Sequence, residues 1–138
     1  MEERRELLDL FYTVLKKMGK EWNKQLKPGI NHSQFLILKT LNYSGPQKAT
    51  DLAESIQMTP GAVTGASDKL VSEGYAERKG TPGDRRVVYL EITAKGKQLV
   101  ESMIEEHKKV TEKFFEGLSE EDIDHLIRIY HKILSNLD

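Results

Sequence analysis

The fold is decided by one stretch of the chain, residues 59–93, which reads TPGAVTGASDKLVSEGYAERKGTPGDRRVVYLEIT. Its first part predicts a helix with Thr59 as the hydroxyl N-cap and Pro60 as the first helical residue, where a missing N–H costs nothing. Gly74 is the glycine that ends this helix. The apolar residues of the helix recur at helical spacing and predict one buried face: Val63, Ala66 and Leu70.

The same stretch continues as two strands joined by a tight, charged turn. The first strand begins with residues 75–79, and the turn is predicted at Gly80, Pro82 and Gly83. The second strand shows apolar side chains at every other position: Val88, Leu90 and Ile92. A capped helix followed by a basic hairpin is typical of a winged helix-turn-helix. That motif places the helix in the major groove of DNA and the hairpin along the adjoining backbone or minor groove.

Length and composition limit the classes of protein that need to be considered. The 138 residues are enough for one domain with a core of its own, and the absence of cysteine excludes disulfides and thiolate metal sites. No apolar run reaches membrane-spanning length, and the charged first residues do not resemble a signal peptide, so we expect a cytoplasmic protein without a membrane partner. The net charge of −1 does not exclude a nucleic-acid ligand, because binding depends on where the positive charge lies.

Helices are predicted on both sides of the central stretch. The first covers residues near 2–26 and breaks at Pro28 and Gly29. The second is capped by Asn31 or Ser33 and ends before residues 44–46, and a short third helix lies near 48–57. Two short helices joined by a turn, the second one capped, are typical of a helix-turn-helix. The last two predicted helices run from the Thr93 cap to about Gly117, and from the Ser119 cap to the end of the chain.

The terminal helices carry more apolar surface than a small winged core can cover. For the first helix, packing in the core and burial against a second subunit both remain open from the sequence. The last helix approaches a coiled-coil seam, and we infer from both ends that the chain forms a homodimer. A two-fold dimer places two recognition helices about 34 Å apart, one turn of DNA, on a palindromic site.

The predicted fold is therefore mainly α (α+β), in a single domain of residues 1–138. Residues 30–93 form a winged helix-turn-helix lobe that binds DNA. Residues 1–29 and 94–138 form a helical dimerisation lobe built from the N- and C-terminal helices.

The chain closely resembles the MarR family of bacterial transcriptional regulators. The resemblance covers nearly the whole chain, and its most specific part is the wing, where Asp84 is followed by Arg86, a strand and a Thr-capped helix. The other matching segments are Leu52-Ala53-Glu54, Thr59 to Thr64, Leu70 with Gly74 and Arg78, and Leu90 to Thr93 with Gly96. The resemblance implies an obligate dimer that represses, or less often activates, transcription. In many members a small phenolic or aromatic ligand binds between the two lobes.

The exposed face of the helix in residues 59–74 is the predicted reader of DNA bases. We expect Pro60 and Gly61 to let the backbone come close and Thr64 to contact a base edge. Family members commonly carry arginine where this chain has Gly65, so the glycine either permits close approach or marks a weaker reader. Asp68 lies on the same side and needs a positive partner, for which Lys69 and a wing arginine are the candidates.

The wing is the strongest electrostatic feature of the sequence. Arg85 and Arg86 are the predicted contacts to phosphate and the minor groove, and Asp84 is predicted to orient an arginine through a charge-assisted pair. Arg78 and Lys79 add positive charge, although a solvated charged hairpin is the alternative. Two further phosphate contacts are predicted, Lys48 and Lys69.

Nothing in the sequence predicts an enzyme, a metal site or a cofactor. The four histidines show no metal-binding spacing, and the acids alternate with lysines as on a solvated face. No nucleophile elbow, phosphate loop or dinucleotide fingerprint occurs.

Several aromatic residues are candidates either for a pocket or for the core: Phe11, Tyr12, Trp22, Phe35 and Tyr43.

The sequence thus predicts a sequence-specific DNA-binding transcriptional regulator, a repressor acting as a homodimer on a palindromic operator and released by a small aromatic ligand. Two alternatives stay open. One is a winged-helix module used for protein–protein assembly, against which the arginine wing argues. The other is a ligand-binding protein without DNA function, for which Gly65 is the one indication.

Overall fold

A computed structural model describes residues 2–27 and 29–138, so the helix break predicted at Pro28 lies outside the described residues. Helices dominate the described chain, and a small antiparallel sheet joins them. In chain order the elements are α1 (Glu2–Lys24), α2 (His32–Ser44), β1 (Gln47–Lys48), α3 (Ala49–Ser55), α4 (Pro60–Ser72), β2 (Ala76–Thr81), β3 (Asp84–Ile92), α5 (Ala94–Lys113) and α6 (Glu120–Leu137). This architecture confirms the predicted fold class.

The predicted N-caps are present, and each accepts a backbone hydrogen bond. Asn31, rather than Ser33, caps α2 and forms a capping box with Gln34. The other side chains accept from the residue three positions on: Thr59 from Ala62, Thr93 from Gly96, and Ser119 from Asp122. Polar side chains with local partners therefore set where these helices begin.

Several predicted boundaries need correction. α1 ends at Lys24 and α3 covers only Ala49–Ser55. α5 ends at Lys113 rather than near Gly117, because the amides of residues 114–116 bond to carbonyls three residues back and tighten the chain into turns. Gly80, predicted in the hairpin turn, belongs to β2 and pairs with Val88, so Pro82 and Gly83 alone form the turn.

A single hydrophobic core joins α2, α3, α4, the sheet and the first half of α5. Its fully buried side chains come from these different elements, and they are Phe35, Ile37, Leu38, Leu41, Leu52, Val63, Leu70 and Val100. Because Val100 and Met103 of α5 are buried here, the winged lobe and the start of α5 share one core. The orientation of α4 relative to α5 is therefore set by packing.

The sheet has the strand order β1-β3-β2, with antiparallel pairing throughout. The sequence did not predict β1, a two-residue strand that pairs Gln47 with Leu90 and Lys48 with Tyr89. Lys48 is consequently both a strand residue and the N-cap residue of α3, not a residue inside that helix. The short strand ties the start of α3 to the wing.

The end of α4, the start of β2 and the start of α5 meet at one tight junction. The Thr93 hydroxyl donates to the Gly74 carbonyl at 2.7 Å, and the Thr93 amide donates to the Tyr75 carbonyl at 3.1 Å. Lys95 Nζ donates to the Glu73 carbonyl at 2.8 Å, so the last turn of α4 is bonded directly to the beginning of α5. A Cβ atom on Gly96 would lie 2.0 Å from the Tyr75 carbonyl oxygen, so only glycine fits there.

The terminal helices extend beyond this core. None of the described residues of α1 or α6 is buried. The C-terminal part of α1 contacts α5 through Trp22, whose Nε1 donates to Thr111 Oγ1 at 2.9 Å. Most of the remaining large apolar side chains of the two helices are more than two-fifths exposed, among them Leu7, Leu8, Phe11, Tyr12, Ile127, Tyr130, Ile133, Leu134 and Leu137.

We predict that Gly96→Ala destabilises the protein strongly, because the added methyl group meets backbone atoms that cannot move independently. Overpacking of this severity lowers the free energy of unfolding by about 3 kcal/mol and Tm by roughly 10 °C. Urea and thermal unfolding at matched protein concentration measure the change.

The matched control is Gly65→Ala, which also replaces a helical glycine but has no atom within 4 Å of the new Cβ. It should raise the free energy of unfolding by about 0.5–1 kcal/mol, the ordinary advantage of alanine inside a helix. Equal Tm values for the Gly96→Ala variant and the wild type would contradict the proposed constraint at the junction.

Candidate nucleic-acid interface

The face of α4 that turns away from the core carries the predicted base-reading residues. Val63, Ser67 and Leu70 are buried and Ala66 is partly buried, which confirms the predicted inward face. The α4 residues proposed to meet DNA are all exposed on the other side, and they are Pro60, Gly61, Thr64, Gly65 and Lys69; Asp68 and Ser72 are exposed beside them. The geometry therefore brings them to one surface.

This reading face is small and almost uncharged. The Thr64 hydroxyl donates to the Pro60 carbonyl at 3.0 Å, which leaves its oxygen lone pairs free to accept a hydrogen bond. Added Cβ atoms at Gly61 and Gly65 would meet nothing within 4 Å. Packing inside the described chain thus gives no reason for either glycine.

Asp68 has its positive partner on the neighbouring strand. Arg78 of β2 donates to the carboxylate of Asp68, and this pair links the reading face to the wing. The sequence left two candidate partners for Asp68, Lys69 and a wing arginine. In the structure the partner is the arginine, Arg78. Arg78 therefore lies beside α4 and does not extend with the arginines of the wing tip.

The wing tip holds its arginines outward through an irregular strand pairing. The β2–β3 register shifts between Gly80 and Thr81, and residues 85–87 have no partner in the ladder. Asp84 Oδ1 accepts from the Arg86 amide at 3.0 Å and from Arg86 Nε at 3.3 Å, which is the contact predicted for it. The Arg86 side chain is nevertheless 92% exposed. Asp84 therefore holds the Nε edge of the guanidinium, and the rest of the group stays accessible to solvent.

Comparison with known proteins agrees with this geometry. Residues 30–88 match the MarR family. The uncharacterized HTH-type transcriptional regulator YkoM of Bacillus subtilis (strain 168) is 33% identical over 104 residues, which cover 75% of this chain and 68% of YkoM. The chain belongs to the MarR family.

Two further similarities describe what such relatives do. The HTH-type transcriptional repressor MdtR of Bacillus subtilis (strain 168) is 28% identical over 114 residues, covering 83% of this chain and 72% of MdtR. A crystal structure of a mutant MarR from E. coli complexed with operator DNA superposes with a TM-score of 0.79 at 25% identity, covering 96% of each chain. This MarR-family chain is accordingly a DNA-binding transcriptional regulator, and its relatives are regulators rather than enzymes.

The remaining predicted phosphate contacts are Lys48, at the start of α3, and Lys69, in the last turn of α4. Both side chains are exposed, and neither has an ion-pair partner among residues 2–27 and 29–138. Lys48 lies over the Tyr89 ring at 5.9 Å from its centroid. Lys79, by contrast, pairs with Glu91 at 3.0 Å, and this carboxylate raises the pKa of Lys79.

Of the five candidate aromatic residues of this MarR-family chain, Trp22 and Phe35 come together. Phe35 is buried, whereas Phe11, Tyr12 and Tyr43 are exposed. A cluster that the sequence did not predict forms where α1 and α2 meet α5: Trp22 stacks on His107 at 5.2 Å, and Phe35 lies 5.6 Å from the same imidazole ring. Burial lowers the pKa of His107, and Lys39 and His32 lower it further, so this ring is neutral at neutral pH.

No helix within the described ranges combines the length and the apolar content that crossing a bilayer requires.

Proposed function

We propose that this MarR-family protein is a transcriptional repressor that acts as a homodimer on a palindromic operator and is released by a small aromatic ligand. The observation that carries the proposal is the pairing of two features on one lobe. A capped helix exposes a narrow face, and the arginine-bearing wing lies beside it. The similarity to MdtR, a repressor, supports repression, and the similarity to a MarR that forms a complex with operator DNA supports binding to an operator.

On this proposal, each residue of the interface has a distinct task. Pro60, Gly61, Thr64 and Gly65 approach the base edges of the major groove, where the open space at both glycines supports close contact between backbone and DNA. Lys48 and Lys69 bind phosphates. The wing supplies its contacts to phosphate and the minor groove through two residues, Arg85 and Arg86, with Asp84 orienting Arg86.

The homodimer is supported by the exposed apolar faces of α1 and α6. Exposing large apolar faces of both terminal helices to water is unfavourable, so these faces are expected to be covered by a partner. We take that partner to be a second copy of the same chain, because most soluble oligomers are homo-oligomers. We propose residues 1–29 and 94–138 as the dimerisation lobe, with the start of α5 also anchored in the core of the winged lobe. The 30–93 lobe then faces DNA in each protomer.

Release by a ligand requires different affinity for two arrangements of the dimer. A small aromatic molecule that favours an α4–α4 spacing other than one DNA turn shifts the population away from the DNA-competent state. We propose that such a ligand acts beside Trp22 and His107, two partly exposed rings that stack where α1 meets α5.

We predict that Ile127→Glu combined with Leu134→Glu abolishes the dimer, because both side chains are about half exposed on the apolar face of α6 and would place charges in the interface. Light scattering after size exclusion should give twice the 15.8 kDa chain mass for the wild type and a monomer, or loss of helical signal, for the variant. Asn136→Glu, on the polar face of the same helix, is the control and should stay dimeric. A wild-type mass of one chain would contradict the proposed assembly.

We predict that Arg86→Ala weakens operator binding roughly tenfold or more and lowers the salt slope of the dimer by about 2, one phosphate-region contact for each wing. The measurement is fluorescence anisotropy over a salt titration, on DNA upstream of the gene for this protein, with random DNA as competitor. Arg128→Ala, the same change on α6, should leave both quantities unchanged. Specific retention by the wild type with no effect of Arg86→Ala would overturn the wing assignment, whereas no specific retention would favour an assembly module.

A further inference from the structure

Within the described residues of the reading face, the one carboxylate is Asp68, and it is held in an ion pair. Asp68 follows Thr64 by four positions and Gly65 by three, so it lies one turn further along the same exposed side of α4. Its side chain is 64% exposed, and it accepts from Arg78 Nη2 on β2. A carboxylate at this place would face the phosphates of DNA bound to α4.

The ion pair neutralises one positive charge, on Arg78, and one negative charge, on Asp68, at the proposed DNA interface. Asp68 and Lys69 are the only charged side chains within α4, all of whose residues are described, so with Asp68 paired to Arg78 the helix presents one unpaired charge, that of Lys69. The Arg78 side chain is 38% exposed and lines a cavity of about 230 Å³ between α4 and the sheet, together with Thr64, Ser67 and Val88. Its guanidinium is therefore engaged along α4 instead of being free to reach phosphates.

We propose that Asp68 is a specificity-determining residue that suppresses binding to non-operator DNA. The inference rests on the proposed sequence-specific binding. Non-specific affinity comes almost entirely from phosphate neutralisation, so a paired arginine and an exposed carboxylate both reduce it. Operator DNA is held in addition by the base and backbone contacts of α4 and the wing, which random DNA makes poorly. Asp68 acts on affinity through Arg78, which makes it a positioning residue as well.

Asp68→Asn tests the proposal directly. In each protomer the variant frees Arg78 and removes the carboxylate, so affinity for random duplex DNA should rise roughly threefold to tenfold, with a salt slope steeper by up to ~1.8 for the dimer. Affinity for the operator should rise less, so the ratio of operator to random affinity should fall. Glu105→Gln, an exposed residue of α5 with no ion pair among the described residues, makes the same change in net charge and should alter neither ratio nor slope.

A double-mutant cycle separates this role from a structural brace. Arg78→Gln leaves the Asp68 carboxylate unpaired, so random-DNA affinity should fall below that of the wild type. The Asp68→Asn/Arg78→Gln double variant restores the net charge and should return random-DNA affinity and salt slope close to wild-type values. If the pair merely braced the lobe, the double variant would bind operator as weakly as either single variant.

The outcomes distinguish the two proposals. Wild-type protein that prefers its operator, together with unchanged random-DNA affinity in Asp68→Asn, would overturn the specificity role of Asp68 and leave the proposed function standing. Wild-type protein with no preference for any operator would overturn the proposed function itself. Thermal unfolding of each variant at matched concentration confirms that the compared proteins are folded.

Discussion

The structure depends on the close contact between Gly96 and the Tyr75 carbonyl. This contact exists only because residue 96 has no side chain, and it lets the first turn of α5 rest on the peptide that follows α4. Bonds from Thr93 and Lys95 to the carbonyls of Gly74 and Glu73 close the same junction. As a result, α4, the wing and the start of α5, the helix that leads to the proposed dimerisation lobe, are packed against one another. In the proposed dimer, we therefore expect a change in the angle between the two α5 helices to move α4 as well.

Some of the positively charged side chains near this junction are held in ion pairs, and others face outward. Arg78 is paired with Asp68 and Lys79 with Glu91, which leaves Lys48, Lys69, Arg85 and the oriented Arg86 as the cations facing outward near the reading surface. A helix whose exposed face is built from glycine, proline and threonine makes few strong bonds to bases. On the proposed function, we expect recognition to depend more on close backbone approach and on DNA shape in the minor groove than on side-chain readout.

Local chemistry explains which parts of the fold and site could be predicted from the sequence. Helix starts were predictable because caps such as Thr59 and Thr93 bond to amides three residues away. The Asp84–Arg86 contact was predictable for the same reason. The strand β1 was not, since two residues carry no periodic pattern and their partners lie far along the chain in β3. The register shift in the wing and the aromatic cluster at His107 likewise arise from packing between distant segments.

The central claim is that two rigidly mounted α4 helices read one palindrome together. It is tested most directly by measuring the affinity for an operator whose half-sites are moved apart by about 5 bp, half a turn of B-DNA, which places the second half-site on the opposite side of the duplex. We predict that this DNA binds no more tightly than one half-site beside random sequence, and that an insertion of about 10 bp also fails to restore full affinity, because the unit is rigid. Affinity that is unchanged by the 5 bp insertion would contradict the account.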